Sequence, residues 1–239
     1  MARGWKGYSV ITPQTVAFFV ILWVAAFVAL LRADLLAPAF WDALGSSLRR
    51  MAIGYSLVAV IGVALGILLG HVKMIEQVLA SLAVAINAIP GAAWVPLSIL
   101  WFGMTEQAVI FTILLGATGI VVVNTHTGLL EVPPLVQRAA LTLGARGSRY
   151  FWFVAVPSAI PKIVDGLRLA WAFGWRALMA GELFTSVTGL GRILNQAAKS
   201  QQMNQLVAVM LLIAAIGVVI DGLLKAVQQL VRVRWGMSS

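Results

Sequence analysis

The chain has 239 residues, of which 61% are hydrophobic and only 10% charged, whereas a water-soluble domain carries about 25% charged residues. That composition excludes a soluble globular protein and points to an integral membrane protein. The net charge is +9 and the pI about 10.9, which is read as basic flanks meeting anionic lipid rather than as a nucleic-acid surface; the absence of cysteine rules out disulfides and Cys-based metal sites.

Six apolar stretches near membrane-helix length, about 20 residues, follow in chain order. The first runs from Thr15 to Leu31. Its basic flank and long apolar run predict a retained helix rather than a cleaved signal peptide. The second, Met51 to Gly70, is uncharged and carries Gly54, Ala59, Gly62, Ala64, Gly66 and Gly70, small residues suited to close helix packing. The third runs from Val78 to Phe102 and contains Pro90, Gly91 and Pro96; the prolines predict a kink that could line a path. Trp94 and Trp101 are expected to serve in packing or at the membrane interface. The fourth runs from Gln107 to about Val123, the fifth from about Ala159 to about Ala180, and the sixth from about Met203 to Leu224.

Lysine and arginine bias orients the chain. With the N-terminus in the cytoplasm, Arg3, Lys6, Lys73, Arg138, Arg146, Arg149, Lys162, Lys225, Arg232 and Arg234 lie on cytoplasmic segments. Arg32, Arg49, Arg50, Arg192 and Lys199 lie on outer ones. Ten against five places both termini in the cytoplasm. His71 and His126 fall at cytoplasmic helix ends and form no metal constellation.

Between the fourth and fifth stretches, residues 131–157 break the apolar pattern. Glu131, Pro133 and Pro134 suit a helix start. Leu135, Val136, Ala139, Ala140 and Leu143 form an apolar stripe, and Gly144 is a natural stop. A second amphipathic piece runs from Ser148 to Val154, and Pro157 and Pro161 open the next span. Such a short helix suits a lipid surface or a partner's groove.

The fifth stretch carries Lys162, Asp165, Arg168, Arg176 and Glu182. Charge within a membrane costs about 2.5–3.5 kcal/mol per central residue and is expected to face protein or water. Asp165 could pair with Arg168 or Lys162 at i,i+3. Arg176 has no acid at i±3 or i±4, so it is expected to face the translocation path and attract an anion.

Ala139-Ala140, three residues, Gly144, nine residues and Val154-Ala155-Val156-Pro157 resemble the EAA signature of bacterial ABC importer permeases. The chain departs at Arg138, where the signature has glutamate, and uses valines for isoleucine and leucine. INAIPGAAWVPLSILWFG (86–103) and GLRLAWAFGWRALMAGELF (166–184) resemble the nitrate, sulfonate, taurine and bicarbonate branch, and GLGRILNQAAK (189–199) its outer gate-side helix. The likeness covers about residues 40–230.

The resemblance implies a single all-α domain of about six transmembrane helices, of the type I importer kind, in the bacterial inner membrane. It implies a non-enzymatic subunit that binds no cofactor itself. Mg-ATP would be used by two cytoplasmic ATPase subunits, and the other partners would be a second permease copy and an extracytoplasmic solute-binding protein docking near 32–50 and 182–202. Leu135, Arg138, Ala139, Ala140, Leu143, Gly144, Arg146 and Pro157 would couple to the ATPase. Arg168, Arg176, Glu182, Pro90, Trp94 and Pro96 are the expected path residues. The chain has no Gly-x-x-x-x-Gly-Lys-Ser/Thr loop with which to bind ATP itself. A gradient-driven secondary transporter is the alternative, with Asp165, Glu182 and Asp221 as its candidate acids.

Overall fold

The computed structural model describes residues 21, 38–71, 73–185 and 187–235, without the side chains of 73–80 and 204. The first apolar stretch therefore lies outside the described residues, apart from Ile21. All described elements are helical. They are α1 (Pro38–His71), α2 (Lys73–Ala88), a 3-10 turn (Gly91–Trp94), α3 (Val95–Phe102), α4 (Glu106–Leu130), α5 (Pro134–Thr142) and α6 (Gly147–Tyr150). A π-helical turn (Phe151–Ala155), α7 (Val156–Phe184), α8 (Leu190–Lys199) and α9 (Met203–Arg234) complete the chain.

Helix α1 has 34 residues, about 51 Å at 1.5 Å per residue, against a hydrocarbon core of about 30 Å. It begins 13 residues before the expected start, so Arg49 and Arg50 fall near one boundary and His71 at the other. Among the described residues, α1, α4 and Gln205–Arg234 of α9 are long and apolar enough to cross a membrane. The expected third span is broken instead of kinked: Ser81–Ala88 and Gly91–Phe102 meet at 93°. The cause is local. Pro90 caps the 3-10 turn and Pro96 sits in the first turn of α3, positions where a missing N–H costs nothing. Helix α7 is also of spanning length, 29 residues, but carries the five charges.

Helix α4 is the axis of the bundle, with α1 and α7 packed along it. Glycine makes that approach possible. A Cβ on Gly62 would lie 2.6 Å from Val121 Cβ, and one on Gly66 would run into Thr125 Cβ. Gly54 and Gly70 meet Ile113 and Leu129 in the same way, so the stripe at i, i+4 sets the α1–α4 distance. Ala64 faces outward and takes no part. Met51, Val58, Val109, Ile113, Val121, Trp171, Trp175 and Leu178 fill the core between the three helices.

Pro161 is inside α7 and buried. Its missing N–H frees the carbonyl four residues earlier. That carbonyl, Pro157 O, accepts a hydrogen bond from Trp235 Nε1–H at 3.0 Å, which ties the end of α9 to the start of α7.

Candidate functional site

The segment between α4 and α7 forms a short helix standing off the bundle. Pro133 caps α5 and Pro134 opens it. At the other end Gly144 adopts φ +82°, its N–H donates to Leu141 O at 3.1 Å, and Ala145 N–H donates to Ala140 O at 2.9 Å. This is the Schellman closure that a glycine stop permits. Gly147, at φ +55°, turns the chain into α6. Ala140 is buried, while Leu135 and Leu143 are 80% and 87% exposed; Arg138, Ala139 and Arg146 are exposed too. The expected apolar stripe is thus split, with Ala140 turned to the bundle and the leucines turned out. The root of the segment is braced. Tyr150, Phe151 and Val132 pack on Leu129, Ala155 and Ala159, and the His71 and Phe151 rings meet edge-on at 4.7 Å.

The charges of α7 choose partners across helices rather than along α7. Arg168 forks onto Asp221 of α9 at 2.9 and 2.8 Å and reaches Gln228 Oε1 at 3.0 Å. Asp165 accepts from Arg232 and from Gln228, both at 2.7 Å. Lys162 pairs with Glu131 at 3.0 Å. The i,i+3 pairs are displaced because Asp221, Gln228 and Arg232, spaced seven and four apart, form one stripe of α9 that satisfies the charges with bidentate geometry. Arg168 is therefore engaged by α9. Arg176 is exposed, lies over the Phe173 ring at 5.7 Å, and has no acidic partner among the described residues. Pro90 and Pro96 are exposed and Trp94 half-buried at the bend. Trp101 packs on Phe111 at 5.4 Å.

Glu182 sits elsewhere than expected. It is 0% exposed and enclosed by donors: Ser47 Oγ–H at 2.8 Å, Arg50 Nη1–H at 2.6 Å and Gly191 N–H at 3.1 Å. Ser47 Oγ accepts in turn from Leu190 N–H at 2.9 Å. Arg50, 1% exposed, also reaches Glu106 at 3.1 Å, and Arg49 Nη2–H donates to both oxygens of Glu106, at 2.7 and 2.6 Å. Two arginines and two glutamates thus form a neutral cluster joining α1, α4, α7 and the start of α8. The carboxylate of Glu182 faces the N-terminal amides of α8, where negative charge is favoured. It leaves no room beside it: a Cβ on Gly189 would run into the carboxylate. Sequence reasoning missed this cluster, since its partners lie 132 and 56 residues apart. The available signal was two acids and two adjacent arginines, each too costly to leave alone near a membrane.

Among the described residues no group of three or more His, Cys, Asp or Glu could hold a metal. Residues 62–233 match the binding-protein-dependent transport system inner membrane component. The chain belongs to this family. Its members are membrane-embedded transport subunits and not enzymes. Protein MJ0413 of Methanocaldococcus jannaschii, provisionally named an ABC transporter permease protein, is 36% identical to this permease over 176 residues, 73% of this chain and 66% of that one. The nitrate import permease protein NrtB of Synechocystis is 30% identical over 186 residues, 78% of this chain and 68% of that one. The bicarbonate transport system permease protein CmpB of Synechococcus elongatus is 31% identical over 183 residues, 76% of this chain and 66% of that one. The permease thus spans about two thirds of the length of these relatives. Its fold is that of a chain of the MetNI methionine ABC transporter in an inward-facing conformation, with TM-score 0.71 at 18% identity, covering 83% of the permease and 99% of that chain.

Proposed function

We propose that this permease forms the translocation path of an ATP-driven importer for a small anion. Two copies enclose one path, and two ATPase subunits bind on the cytoplasmic side, where both termini also lie. A solute-binding protein delivers the anion to the outer face, near residues 32–50 and 182–202. ATP draws the ATPases together. Residues 131–157 pass that motion to the bundle, which alternates between inward-open and outward-open states, and Mg-ATP chemistry stays with the ATPases.

The observation that carries the proposal is the braced, outward-standing α5, closed by Gly144 and exposing Leu135, Arg138 and Leu143. Arg176 is assigned to the path, near the bend at Pro90, Trp94 and Pro96. It is the cation of α7 whose contact is an aromatic face instead of an acid, and a guanidinium matches nitrate, bicarbonate or sulfonate geometry. The names NrtB and CmpB, for nitrate and bicarbonate, agree with that chemistry. A gradient-driven transporter is disfavoured because Asp165 and Asp221 are tied to arginines and Glu182 is enclosed.

The test is uptake by proteoliposomes holding the permease, its ATPase and its binding protein. ATP-dependent accumulation of labelled nitrate, bicarbonate or sulfonate is expected, lost or strongly reduced with Arg176→Ala. Uptake driven by an ion gradient without ATP would overturn the importer reading, and full anion transport by Arg176→Ala would overturn the path assignment.

A further inference from the structure

From Glu131 to Asp165 the chain has no acidic residue between, yet Arg138, Arg146 and Arg149 fall there. All three are exposed, and none has an ion-pair partner among the described residues. Elsewhere in the bundle Arg49, Arg50, Lys162, Arg168 and Arg232 each hold an acid. On α5, at 100° per residue, Leu135, Arg138, Ala139 and Thr142 form one stripe opposite buried Ala140. Leu135 and Arg138 therefore share the outward face. We infer that the partner seated on α5 is a protein whose groove has an apolar floor for Leu135 and a carboxylate-bearing wall for Arg138.

The inference rests on the reading of α5 as the coupling element and names the chemistry of its partner. An anionic bilayer surface is the competing occupant. A helix on lipid separates its faces, apolar side chains toward the acyl chains and cations above them. The outward stripe of α5 instead interleaves an exposed leucine and an exposed arginine, which a groove can receive together. Close charge pairs across a protein interface are sensitive to reversal, since juxtaposed like charges repel where attraction held the pair. Screening by salt weakens the exposed part of such a pairing.

The experiment is capture of the ATPase by the tagged full-length permease in mild detergent. The parent is compared with Arg138→Lys and Arg138→Glu at about 0.15 M and at higher salt. The parent and Arg138→Lys are expected to capture it, less so as salt rises. Arg138→Glu is expected to lose at least about tenfold of that capture, and suppressors in the ATPase should replace an acid by a neutral or basic residue. Capture unchanged by Arg138→Glu overturns the inference while leaving the coupling reading intact. No capture even by the parent overturns both. A single cysteine at Ala139 shielded from maleimide by anionic lipid, in nanodiscs without ATPase, assigns the face to the bilayer and also overturns the inference.

Discussion

The two ends of the bundle use arginine in opposite ways. At one end Arg50 is buried against Glu182, with Ser47 and the first amides of α8 completing the shell. At the other, Arg138 on α5, Arg149 on α6 and Arg146 in the turn between them stand exposed without acids beside them. Removing a charge from water is costly unless a partner is supplied. The first end supplies partners from four of its own helices, which makes its charges part of the architecture. The second leaves them exposed, where the proposed partner would meet them. The same residue type thus marks a structural joint in one place and, on the proposed reading, a docking face in the other.

The largest loss is expected at Glu182. Glu182→Ala leaves buried Arg50 with Glu106 as its one remaining acid, at 3.1 Å, and is expected to cost about 3–5 kcal/mol, read as a lowered thermal midpoint of the detergent-purified permease. A midpoint unchanged from the parent would show that the cluster does not hold α8 in place. Gly62→Leu comes next. It forces a side chain into Val121, and such overpacking costs about 1–3 kcal/mol; normal expression and stability would mean that α1 and α4 can part without loss. Arg168→Ala should cost about 0.6–2 kcal/mol, as for other interhelical polar contacts in membranes, and Asp221→Ala should add little to it in a double-mutant cycle. Arg49→Ala removes an exposed pair and should cost no more than about 1 kcal/mol. Smallest of all in stability is Leu135→Ser on α5, within about 0.5 kcal/mol, yet it should impair ATPase capture. A large stability loss there would make α5 part of the core instead.

Much of this architecture was legible in the sequence because its signals are local. Pro133, Pro134 and Gly144 fix both ends of α5 by backbone chemistry, and the glycine stripe of α1 announces a close neighbour. The bend at Ile89–Pro90 was partly legible: the prolines marked it, but its 93° depends on both prolines falling at helix starts, which spacing alone does not reveal. The charge pairs were not legible. Asp165, Arg168 and Lys162 offered each other plausible local partners, and only the fold brings up Asp221, Arg232 and Glu131. Ser47, Arg50 and Glu182 are united by helix packing over more than 130 residues, a distance at which no periodicity speaks. The split of the α5 stripe, with Ala140 inward and Leu143 outward, likewise depends on how the helix docks against the π-helical turn.

The most direct test of the central claim, that α5 is where the ATPase engages the bundle, uses the absence of native cysteine. A single cysteine is placed at Ala139 on the outward stripe of α5, and in a second variant at Gly45, which is exposed near the opposite end with open space around it. Each assembled complex is treated with a short bifunctional cross-linker. A permease–ATPase adduct is expected from position 139 and none from position 45. An adduct from 45, or none from 139 in a complex that still hydrolyses ATP in response to loaded binding protein, would contradict the claim.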